Sequence, residues 1–195
     1  MNAIADTITT RLSPSATEML RTDHAKVLAA SHRYKISDSP GKKLAVVNTV
    51  CLALEVHAQL EEEIFYPAVR AVHPAVVEKS VPEHEEMRTL IATLRGMEPT
   101  SEEYDRTFMA LMRSVIHHVA DEETTLLPDA ERLLGDEIGE LGARMTKRRL
   151  QLMAPRLGEI TRNSVRTFPA APMLLAAGAV LAGAYLFRRN SGSGS

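Results

Sequence analysis

Apolar residues recur at three- and four-residue spacing along most of this chain, the pattern of helices that each bury one face. Five helical stretches follow from it. The first covers residues 17–34, after Ser13-Pro14-Ser15, a helix start signal. The second begins after Ser39-Pro40-Gly41, carries Leu44, Val47, Val50 and Leu54 inward, and closes near Pro67. The third lies between His73-Pro74 and Gly96, and the fourth runs from Pro99-Thr100-Ser101 to about Leu134. A fifth starts near Asp136 and meets the Pro155 break. Four of the five are long and joined by short links. The fold class expected is therefore all-α, an up-down-up-down four-helix bundle over residues 17–135 with an additional C-terminal helix.

Composition agrees. Apolar residues make up 45% of the 195, aromatics only 4%, and Trp is absent, which suits helix packing better than a β-sandwich. Cys51 is the one cysteine, so an intrachain disulfide and a thiolate zinc knuckle are both excluded. Residues 1–16 read as a flexible N-terminus, with no basic segment leading an apolar run as a secretory signal would have. These features point to the cytoplasm.

The near-neutral net charge of −2 conceals a split. Residues 1–140 hold 14 basic against 24 acidic side chains, whereas residues 141–195 hold nine basic and one acidic, Glu159. A basic helical stem over residues 136–167 is expected to face a membrane surface or another anionic partner. Nucleic acid is not expected, because no aromatics interleave with those charges. Residues 168–187, FPAAPMLLAAGAVLAGAYLF, carry no charge over the length that crosses a bilayer, and read as a transmembrane helix. Gly178, Ala179 and Gly183 give it a small-residue face through which copies could pair into a homo-oligomer. Residues 188–195 read as a flexible tail. The bundle is thus expected on the cytoplasmic side of the inner membrane, tethered by this helix.

An internal repeat carries the chemistry. His57-Ala58-Gln59-Leu60-Glu61-Glu62 leads to Pro67, and His118-Val119-Ala120-Asp121-Glu122-Glu123 leads to Pro128. Upstream, Asp23-His24 recurs as Glu83-His84. Residues four apart share a helix face, so His57 with Glu61 and His118 with Glu122 form two converging pairs. His24 and His84 add a nitrogen from each remaining helix. Leu60, Ile64 and Phe65 beside Glu61, and Val115, Val119, Leu126 and Leu127 beside His118, make a greasy stripe on which charge is costly unless paired or metal-bound. Four imidazoles and two carboxylates suit iron or another first-row metal rather than calcium or magnesium. His117 is the alternative to His118, which the internal alignment favours. Glu62, Glu63 and Glu123 read as solvated face or as acceptors behind the ligands, with solvated face preferred for most of them, and His32 and His73 read as surface residues. Glu-x-x-His pairs, a G-x-S-x-G elbow, a P-loop and a dinucleotide fingerprint are all missing, and Arg88 stands where a zincin motif starting at His84 needs its second His.

As a set, Asp23-His24, His57-x-x-x-Glu61-Glu62 with Pro67, Glu83-His84 and His118-x-x-x-Glu122-Glu123 with Pro128 resemble the hemerythrin-like HHE cation-binding domain. The resemblance spans about residues 17–135. It implies a non-haem centre of two Fe ions, with Mn or Zn as alternatives. His24, His57, His84 and His118 are its terminal ligands and Glu61 and Glu122 its bridges. It further implies binding of dioxygen, nitric oxide or peroxide for sensing, scavenging or storage under oxidative or nitrosative stress. A di-iron enzyme (a peroxidase, nitric oxide reductase or iron–sulfur-centre repair protein) and simple metal storage are the alternatives. Oxygen-carrying hemerythrin has a further His where this chain has Arg88, which implies one more open metal position here.

Overall fold

The computed structural model of the chain describes residues 13–71 and 73–156, and among these the structure is helical with no strand. Helix α1 spans Ala16–Ser31 and opens on a capping box: the Glu18 N–H donates to Ser15 Oγ at 3.2 Å, and the Ser15 N–H donates to Glu18 Oε2 at 2.9 Å. Helix α2, Pro40–Leu60, starts with proline at its first turn, where a missing N–H costs nothing. A π-helical turn, Glu61–Phe65, carries it into the short α3, Tyr66–Val69. Helix α4 is Pro74–Arg95 and ends at Gly96. Helix α5, Glu102–Asp121, passes through a second π turn, Glu122–Leu126, into α6, Leu127–Leu134. Gly135, at φ 51° and ψ −123°, closes α6 in a positive-φ conformation that glycine adopts without strain. Helix α7, Glu137–Met153, follows, and a 3-10 turn, Ala154–Arg156, ends the described residues.

The bundle is two antiparallel hairpins, α1 on α2 and α4 on α5. Its apolar side chains form two cores. One, at the end where Leu20, Leu60, Phe65, Val77 and Leu126 meet, also takes in Leu141 and Met145 of α7. The other gathers Val27, Val50, Met87, Ile91, Phe108 and Leu111. Helices α1, α2 and α4 cross from one core to the other, and α5 does so through its continuation into α6. The candidate metal-binding residues sit at that crossing: His24 lies between Leu20 and Val27, and His118 between Val115 and Leu126.

The second helix closes at Val69, two residues past Pro67, and the fourth at Leu134, both as expected, and each reaches its end through a π turn. The helix that opens the expected basic stem lies on the bundle. Gly142 comes so near α1 that a Cβ there would meet Pro14 O at 2.1 Å. Helix Pro40–Val69 is apolar and long enough to cross a membrane, but it is the inner helix of the bundle, with 67% of its most apolar 18 residues buried. The expected transmembrane helix at 168–187, the rest of the stem beyond 156 and most of both tails lie outside the described residues.

Candidate metal centre

Each half of the chain places three side chains at the crossing of the cores. His57 and Glu61 come from α2 and the first residue of its π turn, with His24 from α1. His118 and Glu122 come from α5 and its π turn, with His84 from α4. All six are buried, and the two glutamates are 0% exposed. Ligating atoms of His24, His57, Glu61 and Glu122 lie within 4.8 Å of one another, and so do those of Glu61, His84 and His118. Glu61 belongs to both groups. The six residues expected from the sequence are thus brought together, and His118, not the exposed His117, points inward.

Every imidazole turns Nε2 to the centre and Nδ1 to a carboxylate behind it. Glu123 Oε1 is 2.8 Å from His24 Nδ1, Glu62 Oε1 is 2.9 Å from His84 Nδ1, and Glu83 Oε2 is 3.0 Å from His118 Nδ1. Asp23 Oδ2 faces His57 Nδ1 at 3.6 Å. Such carboxylates fix the ring and raise its basicity toward a metal. For Glu62 and Glu123 the preferred solvated face is therefore corrected in favour of the other reading, acceptors behind the ligands. The signal was present in the acidic residue after each Glu and before each lone His, but not the partner. Glu63 is different: it binds Arg148 of α7, at 2.6 and 2.9 Å. His73 is also more than a surface residue, since its Nε2 pairs with Asp129 and ties the α3–α4 link to α6. His32 is exposed.

The residue the sequence reading missed is Tyr66. It is buried, stacks on His84, and donates its hydroxyl to Glu122 Oε1 at 2.8 Å, with Glu61 Oε2 at 3.4 Å. Burial and the charges of Glu61 and Glu122 push its ionisation far up, so it stays a neutral O–H donor. Arg88 Nη2 reaches both oxygens of Glu62 at 2.7 Å, bracing the carboxylate behind His84.

The protonation of the cluster tests whether a metal fits. Burial alone would lower His118, yet the hydrogen bond to Glu61 and the charges of Glu122 and Glu61 outweigh it and hold it at about 9. His24 is raised against its burial in the same way, by Glu122 and Glu61. Glu61, which burial would raise, is held well below the usual range by His57, His118 and His84. The two buried carboxylates thus favour the protonated forms of His24 and His118, a charge that a bound cation supplies when it displaces those protons. The nitrogens say the same: His24 Nε2 lies 3.2 Å from His57 Nε2 and His84 Nε2 3.1 Å from His118 Nε2. Two bare imidazole nitrogens at that distance repel unless a proton or metal ion serves both. Glu61 Oε1 and Glu122 Oε2 are buried without a hydrogen-bond partner. The residues fit first-row metal ions, with nitrogen and carboxylate donors and no thiolate.

Beside the four imidazoles is a cavity of about 20 Å³, walled by Val27, Leu54, Met87 and Val115 among others. It has room for one water-sized or diatomic molecule.

A four-helix bundle that buries two carboxylates in a cage of carboxylate-backed imidazoles is, by its donor set, a cation-binding protein. The sequence model of the hemerythrin HHE cation binding domain matches residues 15–130, and this chain belongs to that family. A solved structure of a hemerythrin HHE cation binding domain-containing protein from Mycobacterium kansasii superposes with a TM-score of 0.63 at 21% identity, covering 81% of this chain and 96% of that one. That likeness shows the fold. A DNA nickase of Nostoc sp. (strain PCC 7120) is 28% identical over 142 residues, 72% of this chain and 40% of that protein. This chain spans well under half the length of that relative.

Proposed function

We propose that the centre holds two iron ions and binds a small diatomic or peroxide ligand, for sensing, scavenging or storage in oxidative or nitrosative stress. His24 and His57 would hold one ion, His84 and His118 the other, with Glu61 and Glu122 between them. The observation that carries this reading is the buried pair of glutamates inside four imidazoles, three of them hydrogen-bonded to an acid from behind. Charge supports a bound cation: six carboxylates (Asp23, Glu61, Glu62, Glu83, Glu122 and Glu123) face three clasping cations, Arg88, Arg149 and Lys79, which leaves an excess of negative charge for metal ions to offset. Bound iron would supply the redox and ligand-binding chemistry. The protein's part is to fix the donors, and to offer an apolar cavity that admits a diatomic and little more.

A second reading, turnover of peroxide or nitric oxide, gains from Tyr66, whose hydroxyl is a proton donor inside the site. Metal analysis of protein from iron-replete cells, with optical spectra in air, nitric oxide and peroxide, tests the first reading. Two irons per chain and a ligand-dependent ferric charge-transfer band are expected; under one iron and no band would refute it. Steady-state turnover separates binding from catalysis. The tail completes the proposal: residues 168–187 tether the bundle to the cytoplasmic face of the inner membrane. Release of the full-length chain by alkaline carbonate would end that part.

A further inference from the structure

Three of the four imidazoles are hydrogen-bonded from behind at 2.8 to 3.0 Å. The fourth is not. His57 Nδ1 stands 3.6 Å from Asp23 Oδ2, outside hydrogen-bond range, and is buried with no other partner. The reason lies on the other side of Asp23, where Arg149 of α7 takes both oxygens, Nη1 at 2.9 Å from Oδ1 and Nη2 on Oδ2.

Clasping by arginine does not by itself draw an acid off its imidazole. Arg88 holds both oxygens of Glu62, and Glu62 still reaches His84 at 2.9 Å. The difference is where each arginine stands. Arg88 is four residues beyond His84 on the same helix, so arginine and imidazole move together. Arg149 belongs to a helix outside the four that bear the candidate ligands. Beside it, Arg148 grips Glu63 on the π turn, two residues after Glu61. Two consecutive arginines of α7 therefore hold one acid next to His24 and another close to Glu61.

We propose that Arg149 is a positioning residue that keeps Asp23 off His57. It makes the two halves of the metal centre unequal and couples the seating of α7 to the ion held by His24 and His57. The inference rests on the metal-binding reading above. An imidazole without a hydrogen-bonded acid is the weaker donor through its other nitrogen. The ion at His57 is then the more loosely held of the two while α7 is seated. When α7 lifts, or Arg149 is lost, Asp23 closes on His57 and that ion is held more tightly.

The test uses the full chain as Arg149→Gln, Arg149→Lys and Asp23→Asn, and the double variant Arg149→Gln/Asp23→Asn. A crystal structure of metal-free Arg149→Gln should show Asp23 within about 2.9 Å of His57 Nδ1. Titration with ferrous iron should show the weaker of two sites about tenfold tighter than in the wild type. Arg149→Lys, which keeps the cation, should restore the wild-type titration. In the Asp23→Asn background the Arg149→Gln change should have no effect, which a general loosening of α7 would not reproduce. A separation still at 3.6 Å, an unchanged titration, or the same tightening without Asp23 would each overturn the proposal. A wild-type chain that takes up no metal would overturn the metal centre itself, while the distance in Arg149→Gln judges the clasp independently.

Discussion

Replacing Gly142 with alanine tests whether α7 is an integral part of this bundle. A Cβ at that position would fall 2.1 Å from the Pro14 carbonyl oxygen, 2.8 Å from the Ser15 carbonyl carbon and 2.9 Å from the Ala16 amide nitrogen. All three are backbone atoms of the segment that caps α1, so no side-chain rotation relieves the overlap. Helix α7 must retreat by roughly 1 Å for carbon and oxygen to reach an ordinary separation of about 3.3 Å. Two effects then oppose each other. Alanine in a helix interior is favoured over glycine by about 1 kcal/mol. Against it, the retreat loosens Leu141 and Met145, which are 5% and 0% exposed. Forced overpacking of this kind costs about 1–3 kcal/mol. It also draws Arg148 and Arg149 from Glu63 and Asp23. The strain wins by about 1–2 kcal/mol, which lowers the melting temperature by about 2–8 °C in a domain of this size. Thermal unfolding followed by circular dichroism measures it. An alanine variant as stable as the wild type, or more stable, would refute the reasoning, because α7 would then have room to spare.

At the far end of the bundle Lys43 Nζ sits 2.7 and 2.9 Å from the oxygens of Asp105, which also accepts from Tyr34, all of it buried. Asp105→Ala leaves that ammonium unpaired and should cost about 3–5 kcal/mol in urea unfolding. Burial pushes Asp105 up, but Lys43 and Tyr34 more than offset it, so its folded pKa lies below the ordinary 3.8. Its contribution is therefore complete above 3.8 and lost as pH falls through the lower folded value; a gap between variant and wild type that widened below pH 4 would contradict this. Tyr66→Phe should keep two metal ions per chain yet lower any peroxide turnover about 100-fold, and unchanged turnover would remove the hydroxyl as a proton donor. His118→Ala should lose metal while His117→Ala keeps it, and equal loss on metal analysis would undo the choice between them.

The helices and the six inward residues were legible because each depends on a single helix's own periodicity and caps. Ser15, Ser39 and Ser101 stand at the starts, and the four-residue step from His57 to Glu61 fixes a shared face without knowledge of any other element. What depends on a neighbouring helix was not legible. Glu62 and Glu123 follow the central glutamates and are turned about 100° from them, which reads as solvent. Each instead meets the outer nitrogen of an imidazole on another helix. The pairing of the stem's first arginines was hidden for a related reason. A charge count along the chain cannot see that Arg148, Arg149 and Arg156 are each paired with an acid of the bundle, Glu63, Asp23 and Glu55.

The prolines do more than mark where a helix is about to stop. Pro67 and Pro128 stand ten residues after His57 and His118, and a proline inside a helix lacks the N–H and crowds the carbonyl four residues back. Here the helix absorbs that conflict by widening. The Tyr66 N–H bonds back five residues to Glu61 O, and the Leu127 N–H does the same to Glu122 O. The consequence is chemical. In a regular α-helix residues five apart are turned about 140° from each other, so Glu61 and Tyr66 would face different sides. A five-residue hydrogen-bonded turn sets one nearly above the other, as π bulges at functional sites do. The Tyr66 hydroxyl then reaches Glu61 and Glu122 together. In the second half the equivalent residue is Leu127, fully buried and unable to donate. The repeat builds a symmetric cage of donors, and the two proline-driven turns make it unsymmetric by aiming a phenol at one side and a leucine at the other.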